Sequence, residues 1–386
     1  MTERKGWLRN EAAGSLGDHH APTRRPLELH RKLPGYRPTP LVPAPSIAAE
    51  LGLGQVWVKN ESARLGLPSF KILGASWGVY RALEEHAGGL GSWRDVDELA
   101  ALIEPHRPLT LAAATDGNHG RAVARMARLL GLAARIFVPA GTARARIDGI
   151  ETEGAGATVV EGTYDDAVAR AAQEAGPRCL VISDTSWPGY EDVPRWVIEG
   201  YSTIFWELDA QLDEAPDVVV VQVGVGALAA AAARHFLSPG RGAPPILIAV
   251  EPTAAACVLA SMGAGRPVTI PGPHDSIMAG LNCGTPSVVA WPEVSRGYGL
   301  FVAIDDQRAR DGMRLLAREG VEAGETGAAG IGALVDIMSG EDAGLRALIG
   351  AGPSTRALVL CTEGATDPEA YRAIVGAAAP HHQQMP

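Results

Sequence analysis

The chain has 386 residues, enough for two domains or one large one. It is 46% hydrophobic and 20% charged, an ordinary globular mix, and its net charge of −10 excludes a general attraction to nucleic acid or to anionic membranes. No apolar run is long enough to span a bilayer, and the first twenty residues lack the apolar core of a signal peptide, so a cytoplasmic protein is expected.

Residues 1–35 are polar and mixed in charge, which predicts a loosely attached arm. From Tyr36 onward strand-like and helix-like segments alternate. Residues 55–59 read as a strand and 71–86 as a helix; 109–115 is an apolar run before a helix over 119–130. Strands follow at 134–139, 157–161 and 179–183, separated by helices at 143–153 and 164–175, with another helix at 194–208. Strands at 217–223, 246–252, 300–304 and 357–364, a helix near 254–262 and two helices through 306–338 complete the series. Short, continuously apolar strands between helices predict α/β architecture, with parallel or mixed sheets covered on both faces in three layers. Two such domains are expected: a large one from 36–86 and 201–386, and a small one from 87–200. The Gly- and Pro-rich stretch 263–300 is too long for a plain connection and is expected to carry function.

In open α/β sheets ligands bind at the carboxyl ends of strands, so the loops there hold the candidates. Lys71 stands between Phe70 and an apolar helix start. It either snorkels to the surface or is a desolvated amine with a depressed pKa, suited to forming a Schiff base. After 109–115 comes Asp116-Gly117-Asn118-His119-Gly120: a tight turn in which Asp116 can serve as acid or base and Asn118 as a donor, with His119 read as structural. Asp184 ends the strand at 179–183, as a second carboxylate or as a cap. Gly224-Val225-Gly226-Ala227-Leu228 opens a helix, as either a phosphate cradle or a tight turn. It is not a GxGxxG, which counts against a nicotinamide dehydrogenase, and no GxxxxGK[ST] is present. Glu325 and Thr326 precede a helix that they can cap, and Thr362 places a hydroxyl after the last strand. The cysteines, Cys179, Cys257, Cys283 and Cys361, contain no CxxC pair, which speaks against a zinc site.

A lysine in a SFK start, a GNHG turn, a glycine loop and a late hydroxyl, in that order, resemble the fold type II pyridoxal-phosphate enzymes, the tryptophan synthase β-like family. The stretches 61–76, 114–128, 183–201, 251–261, 276–287, 324–334 and 361–367 narrow this to a resemblance to diaminopropionate ammonia-lyases over about residues 36–370. Asp116 before GNHG and Asp184 in DTSW are the discriminating part, since many dehydratases of this fold carry Ser in place of the first. The resemblance implies pyridoxal 5′-phosphate held by Lys71, its ring hydroxyl facing Asn118, its phosphate on Gly224 to Leu228, and its pyridine nitrogen meeting Thr362. It implies Lys71, Asp116 and Asp184 as catalytic residues, in a cytoplasmic homodimer of amino-acid catabolism that turns 2,3-diaminopropionate into pyruvate and two ammonia. No metal, nucleic-acid or membrane partner is expected. Cys257 and Cys283 fall where relatives carry a cysteine pair beside the site entrance. The alternatives are another β-eliminase or β-replacement enzyme of the same fold, of the serine or threonine dehydratase kind, and a cofactor-binding protein without catalysis.

Overall fold

The computed structural model describes residues 6–14, 16, 22–339 and 343–376. In chain order the strands are β1 (Trp7–Arg9), β2 (Leu41–Pro43), β3 (Gln55–Asn60), β4 (Thr110–Ala114), β5 (Ala133–Pro139), β6 (Gly156–Val160), β7 (Cys179–Val181), β8 (Val218–Gln222), β9 (Ile246–Pro252), β10 (Leu300–Ile304) and β11 (Arg356–Cys361). Seven of them form one sheet in the order β1-β10-β9-β8-β11-β3-β2, and four form a second in the order β6-β5-β4-β7. The second sheet is parallel throughout, and the first is parallel except for its two edge strands, β1 and β2.

The apolar runs have a simple cause. Successive side chains of a strand point to opposite faces, so a strand covered on both sides must be apolar at every position. Val219 and Val221 of β8, with Leu358 and Leu360 of β11, enter one core, whereas Val218, Val220, Ala357 and Val359 enter the other. The smaller sheet divides in the same way: Leu111 and Ala113 of β4 face the first core, and Ala112 and Ala114 face a third.

The segment before Tyr36 departs from the loose arm that its polarity predicts. Residues 7–9 pair antiparallel with β10, closing one edge of the large sheet. A short helix, Arg25–His30, buries Pro26, Leu27, Leu29 and His30. The His30 ring lies 2.7 Å from Thr203 Oγ1 and 3.0 Å from the Leu73 carbonyl. A strand of three residues and a helix of six carry too few apolar positions for periodicity to reveal them. The predicted helix at 194–208 is two, Asp192–Gly200 and Ser202–Gln211.

What positions the lysine is a buried set of charges beneath the loop that leads to it. Arg64 and Glu61 are fully buried, and their side chains meet at 2.6 Å. Glu207, on helix Ser202–Gln211, meets Arg64 at 2.6 Å and Lys59 at 2.7 Å. The four side chains balance in charge, and Thr39 adds a hydrogen bond to Glu61 at 2.6 Å. Burying ions is tolerated only when they are paired and hydrogen-bonded in this way. Arg64→Leu would strand Glu61 and Glu207 with Lys59 as the remaining cation. Denaturant unfolding should show a loss of about 3–5 kcal/mol, the scale for breaking a buried ion set from one side; a loss below about 1 kcal/mol would mean that the loop is held by other contacts.

Candidate active site

The chain leaves β8 toward β9 on one side and meets β11 on the other; β4 is likewise flanked by β5 and β7. Such switch points open a crevice at the carboxyl ends of the strands. Here the two crevices face one another in a cleft of about 720 Å³, lined by Lys71, Asp116, Asn118, Asp184, Gly224 to Leu228 and Thr362. Every residue singled out in the sequence as a candidate for cofactor or catalysis therefore reaches one place.

Lys71 opens the helix Lys71–His86, and its side chain is 17% exposed. It does not snorkel. Its Nζ donates to Asp184 Oδ2 at 2.6 Å. The depressed pKa expected of a desolvated lysine is not found: burial by itself would push the ammonium down, but Asp184, with Tyr201 and Asp116 behind it, more than offsets this and raises it well above the ordinary lysine range. Burial likewise works against the Asp184 carboxylate, yet the Lys71 ammonium holds it well below the usual carboxylate range. Tyr164 Oη donates to Asp184 Oδ1 at 2.8 Å, so both carboxylate oxygens are occupied. Asp184 is thus more than a cap.

His119 takes the structural part expected of it: its Nε2 sits 2.8 Å from the Ile182 carbonyl, which ties the helix Asn118–Leu129 to the end of β7. Burial lowers its pKa, so the ring is held neutral. Gly117 turns the chain with φ 142°, a value that few side chains adopt, and the stem of Arg146 packs where a Cβ would stand. Asp116 Oδ2 lies 4.0 Å from Arg146 Nη1. The Asn118 amide nitrogen donates to the Glu363 carboxylate.

Gly226 caps the helix Ala227–Phe236 with φ 102°. The first turn of that helix lines the cleft, where its N–H groups have no intrahelical acceptor. Across the cleft Thr362 Oγ1 is buried with no hydrogen-bond partner. A buried hydroxyl without a partner is costly, and here it faces a cavity in which a ligand atom can satisfy it. Cys283 lines the same cleft, while Cys257 Sγ lies 3.9 Å from the Gly224 carbonyl. Both are thiols in this structure, and burial raises each well above the ordinary cysteine range. No metal-binding cluster occurs among the described residues, and none of their helices is long and apolar enough to cross a membrane.

An amine at the loop–helix junction, a helix N-terminus for an anion, an orphan hydroxyl and an amide make a donor set that fits pyridoxal phosphate. The profile of the family described as pyridoxal-phosphate dependent enzymes matches residues 32–351. The chain belongs to that family. It is 37% identical over 374 residues to the diaminopropionate ammonia-lyase of Salmonella typhimurium, covering 90% of each chain. It is 34% identical over 358 residues to that of Escherichia coli K12, covering 90% of this chain and 89% of the relative. The crystal structure of the Escherichia coli enzyme in complex with D-serine superposes with a TM-score of 0.88 at 32% identity, over 96% of each chain.

Several cleft residues gave no sign in the sequence. Tyr164 reads as one more residue of a capped helix start, because Thr163 and Asp166 form a capping box there. Arg146 sits in a surface-like, charge-rich segment, yet its side chain is 6% exposed. Gln222 looks like the polar end of β8, but its Nε2 donates to the carbonyls of Thr326, Gly327 and Leu360. Glu363 is buried beside Thr362. Glu325 does begin the helix Glu325–Ser339, but the Thr326 hydroxyl faces away from the capping role and accepts from Gly280 N at 3.1 Å.

The ion pair has a consequence for lysine reactivity. Asp184→Asn removes the charge that raises the Lys71 ammonium and leaves burial, which lowers it. In cofactor-free protein the pH at which Lys71 is acylated, followed by mass spectrometry of the labelled peptide, should shift downward by one unit or more, on the order of the shifts that a neighbouring charge produces. An unchanged labelling profile would show that Asp184 does not control the amine.

Proposed function

We propose that this protein removes both nitrogens of 2,3-diaminopropionate by α,β-elimination, consuming one water and giving pyruvate and two ammonia. The carrying observation is that two carboxylates, Asp116 and Asp184, line the same cleft as the half-buried Lys71. A substrate with a second ammonium needs anionic groups at that end, whereas a hydroxy amino acid does not.

Lys71 is assigned as the covalent attachment point of pyridoxal phosphate, with the phosphate on Gly224, Val225, Gly226, Ala227 and Leu228, the ring hydroxyl toward Asn118 and the pyridine nitrogen toward Thr362. Bound there, the cofactor supplies an electron sink for the pair left behind when the α-proton departs. Thr362 offers a neutral hydroxyl in place of a charged acid. Such a partner would not protonate the ring nitrogen. The free Lys71 amine would take the α-proton from one face. Asp116 is assigned the proton on the other face. Asp184 receives the charge of Lys71 when it is protonated and offers the β-ammonium a counter-charge, and Tyr164 holds its second oxygen. The β-nitrogen would depart as ammonia, and water would supply the keto oxygen of pyruvate as the second nitrogen is released as ammonia. With this reading go assembly as a homodimer, a cytoplasmic setting and a place in amino-acid catabolism; light scattering of the purified protein tests the first.

Purified protein with pyridoxal phosphate should release ammonia and pyruvate from diaminopropionate in preference to serine, threonine and cysteine. Lys71→Ala should abolish this turnover, along with the covalent label that borohydride fixes to the protein. Retention of both would remove Lys71 from its assigned place.

Asp116→Asn separates the two faces. Turnover of the D-isomer should fall by about 10²-fold or more, the usual scale for losing a general base, while L-isomer turnover falls much less. Equal losses for both isomers would instead make Asp116 a binder of the β-ammonium or a turn residue.

A further inference from the structure

Glu363 has no part in the reaction as assigned above, yet more of the cleft converges on it than on its neighbours. It is 1% exposed and follows Thr362 directly. Its Oε2 accepts from the Asn118 amide nitrogen. Its Oε1 accepts from the Thr326 N–H at 3.3 Å and lies 3.7 Å from Arg146 Nη2. Its carbonyl accepts from Gly324 N at 3.0 Å. The segment around it pairs with the approach to Lys71: Phe70 N donates to the Thr362 carbonyl at 3.2 Å, and Gly364 N to the Pro68 carbonyl at 2.9 Å. Glu363 is therefore held from several sides before it touches Asn118.

The chemistry of the contact decides an orientation. The two ends of an asparagine amide are alike in size and opposite in hydrogen-bonding character. A carboxylate only accepts, so it admits the NH₂ end and rejects the carbonyl end. With one N–H committed to Glu363, the other N–H and Oδ1 take fixed places on the cleft wall. The Arg146 guanidinium, itself buried, braces Glu363 from the far side, and its planar fork resists turning.

We propose that Glu363 is a positioning residue that fixes which end of the Asn118 amide faces the cofactor. The proposal rests on the reading that this cleft binds pyridoxal phosphate with Asn118 on its wall. If Glu363 acts through Asn118, its removal matters only while Asn118 is present.

The test is a double-mutant cycle on the full chain, read as the dissociation constant of pyridoxal phosphate and the position of the bound cofactor's visible absorbance band. Asn118→Ala and Glu363→Ala should each weaken binding by roughly tenfold, the scale of a charge-assisted hydrogen bond. The double variant should be within about twofold of Asn118→Ala, because the two changes remove one interaction. Each single variant should also move the band, and the double variant should move it no further. Losses that multiply would show that Glu363 works independently of Asn118, and the proposal falls. Weakened binding in Asn118→Ala with unchanged binding in Glu363→Ala would overturn it as well. Unchanged binding in Asn118→Ala would overturn the reading of the cleft, and this proposal with it. Should Glu363→Ala not fold, Glu363→Gln replaces it in the same cycle. Its carboxamide can present either end to Asn118, so a loss of about threefold is expected, again absent when Asn118 is alanine.

Discussion

The site turns on one contact: the Lys71 ammonium against the Asp184 carboxylate at 2.6 Å. Lys71 opens a helix that packs on the helices Asn118–Leu129 and Asp192–Gly200, whereas Asp184 follows the edge strand of the small sheet. Both groups are largely out of water, where an unpaired charge is costly and a paired one is tolerated. The charge states of the lysine and of the carboxylate are thus set by one interaction. Tyr164 and His119 surround the same carboxylate, so the pair is fixed in direction as well as in distance.

Much of the surrounding structure supplies rigidity to that contact. Below Lys71, the buried Arg64, Glu61, Glu207 and Lys59 hold the incoming loop. Above it, the backbone around Thr362 and Glu363 pairs with Pro68 and Phe70. The lysine side chain is therefore carried by a loop clamped at both ends. Its amine can exchange partners during a reaction while its Cα stays in place, which is the condition for a precise site on a mobile side chain.

Polar groups without partners mark where a ligand belongs. Thr362 Oγ1 and Asp116 Oδ2 are buried and lack a hydrogen bond, as does Arg146 Nη1. All three belong to residues that line the cleft or the wider antechamber of about 1270 Å³ that opens beside Asp116 and Tyr164. Unsatisfied groups of this kind cost stability in the folded chain, and their gathering at one cleft fits a site that is completed by what it binds.

The order of strands and helices was legible in the sequence because a strand covered on both faces must be apolar where it is covered, and Val218–Val221, Ile246–Val250, Leu300–Ile304 and Ala357–Leu360 are continuous apolar runs. The candidate residues were legible because glycine-rich turns and polar residues at strand ends have local causes: Gly117 and Gly226 need unusual φ, and Lys71 breaks an apolar run. Short elements at the N-terminus escaped, since three or six residues give no period to read. The partners of the site escaped for a different reason. Asp184 and Lys71 are 113 positions apart, and Glu363 and Asn118 are 245 apart. Local sequence fixes which groups are available and how the backbone bends beneath them. Which of these groups meet, and so which charges survive burial, was decided only when the two sheets came together.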